Sequence, residues 1–400
     1  MQTTVASSSN VEELKYKDFT SAGGSGTSPI RATVSQAAAD FRRNSWRSTL
    51  PRKQLNSSNA DPSRRQQYDI TYLQRMIRRM ERASRRTMLD RIQDVWLEPL
   101  DESLRAEIDE EKALWVLTAL YSRSYETALR SSIVDTSSMQ PLSALRRSDR
   151  ILELGQDPGR RSRGTSTSLT TLLISSIAEV HQLSALQPTA KITFITCEYG
   201  QNRGSPLASN VDIHPFSRIS LLRDSSFEHI RANALASSFA APQLKQVLQE
   251  CYRVLVPGGK LELRLMDPVP DSKGTGPLLR DFIEKRLLLN LEKSFRCLRP
   301  MLLIPIWVRE VGFILSENET NNGNYDQISF PVMVDDAECS VEDQLACDVG
   351  RRLWQSLWGE FVEQNDGEVG CWWNDKAIAK EILQKRTTID CRTLFASKSD

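Results

Sequence analysis

From about residue 150 onward, short apolar segments alternate with longer amphipathic ones. Residues 151–154, 191–197 and 260–266 are apolar and of strand length, and residues 169–186 and 242–255 have helical periodicity between such segments. Strands that alternate with helices along a chain are typical of a parallel sheet with helices on both faces. The sequence therefore predicts an α/β, Rossmann-like, doubly wound fold for residues 150–400.

The first 149 residues have a different character. Residues 1–65 are rich in Ser, Thr, Asn, Gly and Arg, with almost no apolar periodicity, a composition that cannot offset the entropy of ordering the chain. Residues 66–149 contain apolar residues at three- and four-residue spacing, such as Ile70, Leu73 and Ile77, which predicts amphipathic helices. We expect a disordered tail over residues 1–65, a helical extension over 66–149 and an α/β domain over 150–400 that has a helical insertion at about 329–387.

The charges are balanced overall but not locally. Lys plus Arg number 52 and Asp plus Glu number 51, which excludes a histone-like protein that coats nucleic acid. Residues 41–91 contain 14 basic and 4 acidic side chains. This segment is either a nuclear-import or nucleic-acid-contacting segment, or a solvated tail that continues into a solvated helix face. Elsewhere the sequence gives no ground for expecting nucleic-acid binding.

The cysteines and the apolar segments indicate the compartment. The seven cysteines are scattered without a C-x-x-C pair, which argues against a disulfide framework or a zinc site and for a reducing compartment. No segment approaches the ~18 apolar residues that a membrane span needs, and the first ten residues lack the features of a secretory signal. We expect a cytoplasmic or nuclear protein with no membrane partner and no metal.

A cofactor-binding turn is predicted at residues 151–159, which have the sequence ILELGQDPG. A strand that ends in glycine and opens into a helix is where a doubly wound sheet binds its cofactor, because glycine lets the backbone approach closely and the helix N-terminus offers unpaired N–H groups. The nicotinamide, P-loop, zinc-protease and hydrolase signatures are absent.

Two further segments carry a family resemblance. Residues 226–228 read SFE, and residues 250–261 read ECYRVLVPGGKL. This combination resembles the class I S-adenosylmethionine-dependent methyltransferases over about residues 150–316. A looser match, over residues 372–395, is to fungal methyltransferase-like proteins. The resemblance implies a seven-stranded, mostly parallel sheet, S-adenosyl-L-methionine as the cofactor and methyl transfer to an acceptor.

The resemblance also implies a cofactor loop. Its first motif lies over residues 152–159, where Glu153, Gly155 and Gly159 match the family and Asp157 replaces the central glycine. The motif is therefore degenerate. The Asp157 side chain could block the cofactor or repel its carboxylate. The arginines at positions 160, 161 and 163 either neutralise Asp157, or bind that carboxylate instead, or form a solvent-facing basic turn.

Two more residues are implied as cofactor contacts. Glu198, after the second predicted strand, corresponds to the family's acidic residue that binds the ribose hydroxyls. Asn233, after the fourth strand, faces the cofactor or the substrate. For the adenine contact, Asp212 and Asp224 both remain open. Methyl transfer depends mainly on positioning, so no catalytic residue is predicted.

Three functions follow as hypotheses. The first is an S-adenosylmethionine-dependent methyltransferase acting on an unknown small-molecule or protein acceptor. The second keeps the fold without the catalysis, as a scaffold or regulatory protein that binds a protein partner. The third, which is the weakest, is nucleic-acid binding through residues 41–91.

Overall fold

The computed structural model describes residues 67–94, 102–133, 170–173, 176–196, 207–315, 327–335, 339–362 and 371–399. The chain divides into the units Met1–Arg64 and Arg65–Asp400, and the described residues all belong to the second. The predicted tail over residues 1–65 lies outside the described residues. In the part of the chain that is described, no helix is long and apolar enough to cross a membrane.

A two-residue strand and three helices precede the main sheet. They are β1 (Gln67–Tyr68), α1 (Ile70–Glu81), α2 (Arg85–Gln93) and α3 (Glu102–Ile133). The helix α1 begins where the Asp69 carboxylate accepts a hydrogen bond from the N–H of Thr71. Leu73, Ile77 and Met80 are buried on one face of this helix, so it forms where the apolar spacing predicts it.

Strands and helices then alternate through the α/β part. They are β2 (Thr170–Leu173), α4 (Ile177–Leu186), β3 (Lys191–Thr196), β4 (Leu207–Ala208), β5 (Val211–Pro215), β6 (Phe227–Arg231), α5 (Leu235–Ser238), α6 (Ala241–Val254) and β7 (Leu255–Met266). The short strands β1 and β4 pair with each other in a separate parallel sheet.

The C-terminal part adds helices and three more strands. They are α7 (Pro277–Ile283), a π-helical segment (Glu284–Leu288), α8 (Leu289–Lys293), α9 (Pro300–Val311), β8 (Phe313–Leu315), β9 (Gln327–Pro331), α10 (Val341–Trp358), α11 (Lys376–Lys385) and β10 (Thr388–Lys398). Trp354, Trp358 and Trp372 are fully buried. These tryptophans therefore pack in the core and do not form an exposed aromatic surface.

The main sheet has eight strands among the described residues, where the resemblance implied seven. Seven of them follow the order β5-β3-β2-β6-β7-β10-β8, and the eighth, β9, pairs with the first half of β10. The four ladders from β5 to β7 are parallel, and all three ladders of β10 are antiparallel. This order establishes a Rossmann-like α/β fold whose last strand is inserted antiparallel beside β7.

The strand between β3 and β6 is not the predicted one. The sequence predicts the first strand at residues 151–154 and a helix over about 169–186, whereas the structure forms a strand over Thr170–Leu173 and begins the helix at Ile177. Periodicity cannot distinguish a short apolar strand from a buried helical segment. The helix start is fixed by Ser176, whose hydroxyl accepts a hydrogen bond from the N–H of Glu179. Residues 151–154 lie outside the described residues.

The two faces of β6 and β7 bury different kinds of side chain, charged on one face and apolar on the other. Successive side chains of a strand point to opposite faces, so Arg231, Glu262 and Arg264 lie on one face and Leu261 and Leu263 on the other. Right-handed crossovers that leave a sheet in opposite directions place α4 and α6 on opposite faces. The charged face is that of α4, because Glu179 of α4 contacts Arg264.

Candidate functional site

The sheet has a topological switch point between β2 and β6. From β2 the chain passes through α4 to β3 on one side, and from β6 it passes through α6 to β7 on the other. In open α/β sheets, ligands bind in the crevice outside the carboxyl ends of the strands at such a point. The fold therefore places the candidate site at the ends of β2 and β6.

The two sides of this crevice are joined through Glu179, in the first turn of α4. Its Oε1 accepts a hydrogen bond at 2.8 Å from Nδ2 of Asn233, which lies two residues after β6. The same oxygen lies 2.6 Å from Nη1 of Arg264 near the end of β7. All three residues are buried, so the loop after β6 and the helix after β2 are connected by a charged contact shielded from water.

A second ion pair lies beside the first, between Arg231 and Glu262. The Nε and Nη2 atoms of Arg231 each lie 2.9 Å from Oε2 of Glu262, and Nε2 of His229 lies 3.4 Å from the same oxygen. Burial by itself would raise the pKa of the Glu262 carboxyl, but the charge of Arg231 and the hydrogen bond from His229 together lower it to about 2. Glu262 is therefore a buried carboxylate that stays ionised.

Tyr121 of α3 bridges the two pairs. The guanidinium carbons of Arg231 and Arg264 each lie 5.7 Å from the centre of its ring, and its hydroxyl accepts a hydrogen bond from Nη2 of Arg264 at 3.1 Å. Burial raises the pKa of the Tyr121 hydroxyl, although both arginines oppose the shift. We call Tyr121, Glu179, Arg231, Glu262 and Arg264 the ionic cluster; through it the helical extension closes over the charged face of the sheet.

Two polar atoms next to the crevice lack a partner. Nη1 of Arg231 and Oδ1 of Asn233 are buried and have no hydrogen-bond partner among the described residues. Native proteins rarely leave buried donors or acceptors unsatisfied. One donor and one acceptor at the end of β6 are therefore available to a polar ligand in the crevice, such as the nucleoside or amino-acid part of a cofactor.

The structure describes one of the six predicted cofactor contacts. Asn233 lies beside the switch point, as its predicted position after the fourth strand requires. Glu153, Gly155, Asp157, Gly159 and Glu198 lie outside the described residues. Since β2 ends at Leu173, the predicted acidic residue at position 198 follows the first strand by 25 residues, close to the ~20 usual in a dinucleotide-binding unit.

The residues between β2 and α4 are Ile174, Ser175 and Ser176. None of them is glycine. The glycines of the predicted motif, Gly155 and Gly159, precede β2 in the chain and do not belong to the turn that follows it. The family's glycine motif therefore has no counterpart in the sequence of this connection.

The two open candidates for an adenine contact both have other partners. Asp212 lies on the edge strand β5, with a carboxylate oxygen 3.6 Å from Nζ of Lys191. Asp224 forms an ion pair with Arg253. Both side chains are largely exposed, and neither belongs to the ionic cluster. The structure therefore gives neither of them a place at the crevice.

The motif at residues 250–261 has a structural role in this chain. Arg253 at the end of α6 pairs with Glu250 and Asp224 and donates to the carbonyls of Ile219 and Leu222. It thereby fixes the loop before β6. Gly259 is required because a Cβ there would lie 2.7 Å from Cγ of Leu255. The motif builds the β6–α6–β7 unit and does not contact the crevice through these residues.

Sequence reasoning missed the ionic cluster. A signal was present in the LELRLM segment, where Glu262 and Arg264 alternate with three leucines in a strand at the centre of an α/β sheet. Strands buried on both faces are usually continuously apolar. Charged residues at every second position of such a strand therefore indicate partners on the covering helices.

The sequence matches no protein-family model and no curated protein. Among solved structures, Haemonchus contortus phosphoethanolamine N-methyltransferase 2, in complex with phosphomonomethylethanolamine and S-adenosylhomocysteine, is 12% identical over 80% of this chain, with a TM-score of 0.34. The match covers 61% of that chain, so this protein corresponds to less than two thirds of its length.

Two other solved structures are similar at the same level. A SAM-dependent methyltransferase from Archaeoglobus fulgidus is 12% identical, over 63% of this chain and 91% of its own, with a TM-score of 0.31. The [4+2]-cyclase SpnF is 17% identical, over 58% of this chain and 75% of its own, with a TM-score of 0.31. Since these scores are low, the fold assignment rests on the strand order of this chain.

Proposed function

We propose that this protein is an S-adenosylmethionine-dependent methyltransferase of the class I fold, with the cofactor in the crevice between β2 and β6. The observation that carries the proposal is the strand order, a doubly wound sheet with a switch point and an antiparallel last strand. This order fits the fold that the sequence resemblance implies. The acceptor is a small molecule or a protein.

The cofactor would supply a methyl group on a positively charged sulfur. That methyl group would pass to an acceptor atom as its bond to sulfur breaks, with S-adenosylhomocysteine as the leaving group. Asn233 Oδ1 would accept a hydrogen bond from the cofactor and Arg231 Nη1 would donate one. The ionic cluster would hold both side chains in place and keep this side of the crevice dry.

Calorimetric titration of the full chain with S-adenosylmethionine and S-adenosylhomocysteine tests this proposal. We expect both compounds to bind. Asn233→Ala should weaken binding about 10-fold, because one buried hydrogen bond contributes about 1–2 kcal/mol. Asn290→Ala is the matched control, since its amide donates to the carbonyls of Arg286 and Phe361 away from the crevice. Absence of heat with both compounds, or equal effects of the two variants, would contradict the proposal.

A second candidate function is a scaffold that keeps the fold and binds a protein partner without catalysis. Two observations favour it: Glu179 already joins both sides of the crevice, and the turn after β2 contains no glycine. The variant Glu179→Ala/Arg264→Ala removes both charges together and opens the contact. If the wild type fails to bind S-adenosylmethionine and this folded variant binds it, the pocket has been closed by the ion pair and the scaffold is the better description.

Asp157→Gly tests the same question at the predicted motif. A methyltransferase blocked by the Asp157 side chain should gain binding in this variant. Unaltered absence of binding in Asp157→Gly favours the scaffold.

A further inference from the structure

The outward face of α1 carries a row of arginines. Arg75, Arg78, Arg79 and Arg82 follow one another at spacings of three, one and three residues, which places them on one side of a helix with 3.6 residues per turn. All four are exposed. The buried residues Leu73, Ile77 and Met80 lie on the opposite side. We call these four side chains the arginine stripe.

The stripe is not neutralised by the protein. None of the four arginines has an ion-pair partner among the described residues. Arg79 acts electrostatically on Glu111 of α3 at the margin of the stripe, without forming an ion pair. One carboxylate of α1, that of the half-buried Glu81, lies next to Arg82 in the chain and has contacts of its own. The chain as a whole has a net charge of only +1, so these four positive charges are concentrated locally on one helix face.

The helix itself does not account for the whole stripe. Basic residues in the last turn interact favourably with the helix dipole, which explains Arg78, Arg79 and Arg82 near the end of α1. Arg75 lies a turn earlier, where this effect has faded. All four residues are arginines, whose planar group binds phosphate through two parallel hydrogen bonds. The chemistry that matches the stripe is therefore a row of phosphates.

We propose that the arginine stripe of α1 binds the phosphodiester backbone of a nucleic acid, without reading its sequence. The stripe extends about 10 Å along the helix, from Arg75 to Arg82, at 1.5 Å per residue. A duplex presents one phosphate charge per about 1.7 Å of its axis, so the four side chains can each face a phosphate. This surface is independent of the proposed methyltransferase activity.

A membrane surface fits the stripe less well. A helix that lies on a lipid surface inserts apolar side chains beside its basic ones. The apolar residues of α1 are buried inside the protein, and no large apolar residue of α1 is among the exposed ones. An acidic protein would need carboxylates at the same spacing as the four arginines, and because the guanidinium also binds carboxylates, polyglutamate serves as a competing probe in the test below.

Salt-dependent binding of the full chain to labelled 20-base-pair DNA and RNA duplexes tests the proposal. Arg75→Gln/Arg78→Gln/Arg79→Gln/Arg82→Gln should reduce the slope of log K against log salt by about 3 to 4, at ~0.9 per phosphate contact on DNA. The matched control replaces four scattered exposed arginines, Arg218, Arg223, Arg280 and Arg309, by glutamine. It changes the net charge equally and should leave the slope within about 1 of the wild type.

Two further measurements keep the test decisive. Changing the four stripe arginines to lysine preserves the charge and the helix-dipole interaction, so it should retain the salt slope while weakening binding. Thermal unfolding of each variant establishes that it is folded. Equal effects of the stripe and scattered variants, or stripe-dependent binding to anionic vesicles or polyglutamate in place of the duplexes, would overturn the proposal. The DNA and RNA arms distinguish which backbone is preferred.

Discussion

The two faces of the central strands β6 and β7 are both buried, one by apolar packing and the other by ion pairs. On the α6 side, Leu261 and Leu263 pack with an apolar helix face that includes Leu248. On the α4 side, the ionic cluster covers the other face of the same two strands with two ion pairs and a tyrosine. Apolar packing is tolerant of shape, whereas buried charges require each partner to be present. The apolar face thus provides stability, and the charged face holds a particular geometry at the crevice.

The largest effect should come from breaking an ion pair on the charged face. Arg264→Ala leaves the carboxylate of Glu179 buried without its charge partner, and we expect a loss of about 3–5 kcal/mol in the free energy of unfolding. Urea denaturation measures it. Replacing both partners, as Arg264→Met/Glu179→Leu, should recover most of this loss because no charge stays unpaired. A loss below about 1 kcal/mol for Arg264→Ala would mean that the ion pair does not hold the geometry at the crevice.

A substitution on the apolar face should destabilise the protein by creating a cavity and not by leaving a charge unpaired. Leu248→Ala creates a cavity under α6, and we expect a loss of about 3 kcal/mol, within the usual range for such truncations. No second substitution on the sheet should rescue it by removing a partner. The loss should be the same at pH 4 and pH 7, measured by urea denaturation, because no titratable group is involved. A strong pH dependence would show that the two faces are coupled.

The charged face should make the free energy of unfolding depend on pH in the acidic range. The pKa of Glu262 is about 2 in the folded protein and about 4.5 in its ordinary environment. A depressed pKa stabilises the fold above about pH 4.5, and that contribution is lost as the pH falls towards 2. At ~1.4 kcal/mol per pKa unit, Glu262 contributes at most about 3.5 kcal/mol.

Comparison with Glu262→Gln isolates this contribution. The difference in unfolding free energy between the wild type and Glu262→Gln should narrow as the pH falls from 4.5 to 2. A difference that is constant over this range would contradict the assigned ionisation of Glu262.

The contrast between the faces also explains what the sequence could predict. The apolar face depends on local periodicity, so α6, β7 and the helices of the N-terminal extension could be recognised from spacing alone. The charged face depends on partners that are far apart in the chain: Arg264 is 85 residues from Glu179 and 143 from Tyr121. A single sequence does not indicate which distant charges will pair.

The prediction of a helix over residues 169–186 was wrong at its start for a related reason. The segment Thr170–Leu173 consists of two β-branched threonines and two leucines, but it continues into residues that are equally suited to a helix. Its place in the sheet is decided by pairing with β3 and β6, which is tertiary information. The end of β6, which Asn233 follows by two residues, could be predicted because β6 and the following motif are both strong local signals.

The smallest expected effect concerns the hydroxyl of Tyr121. Tyr121→Phe keeps the ring between the two arginines and removes the acceptor of a single hydrogen bond from Arg264, so we expect a loss of about 1 kcal/mol. Tyr252→Phe is the matched control, since the hydroxyl of Tyr252 on α6 shares a hydrogen bond with Ser399 at the exposed surface, where water can replace it. Urea denaturation of both variants should show the larger loss for Tyr121→Phe. Equal losses would mean that Arg264 finds another acceptor, and that the charged face tolerates rearrangement as well as the apolar face does.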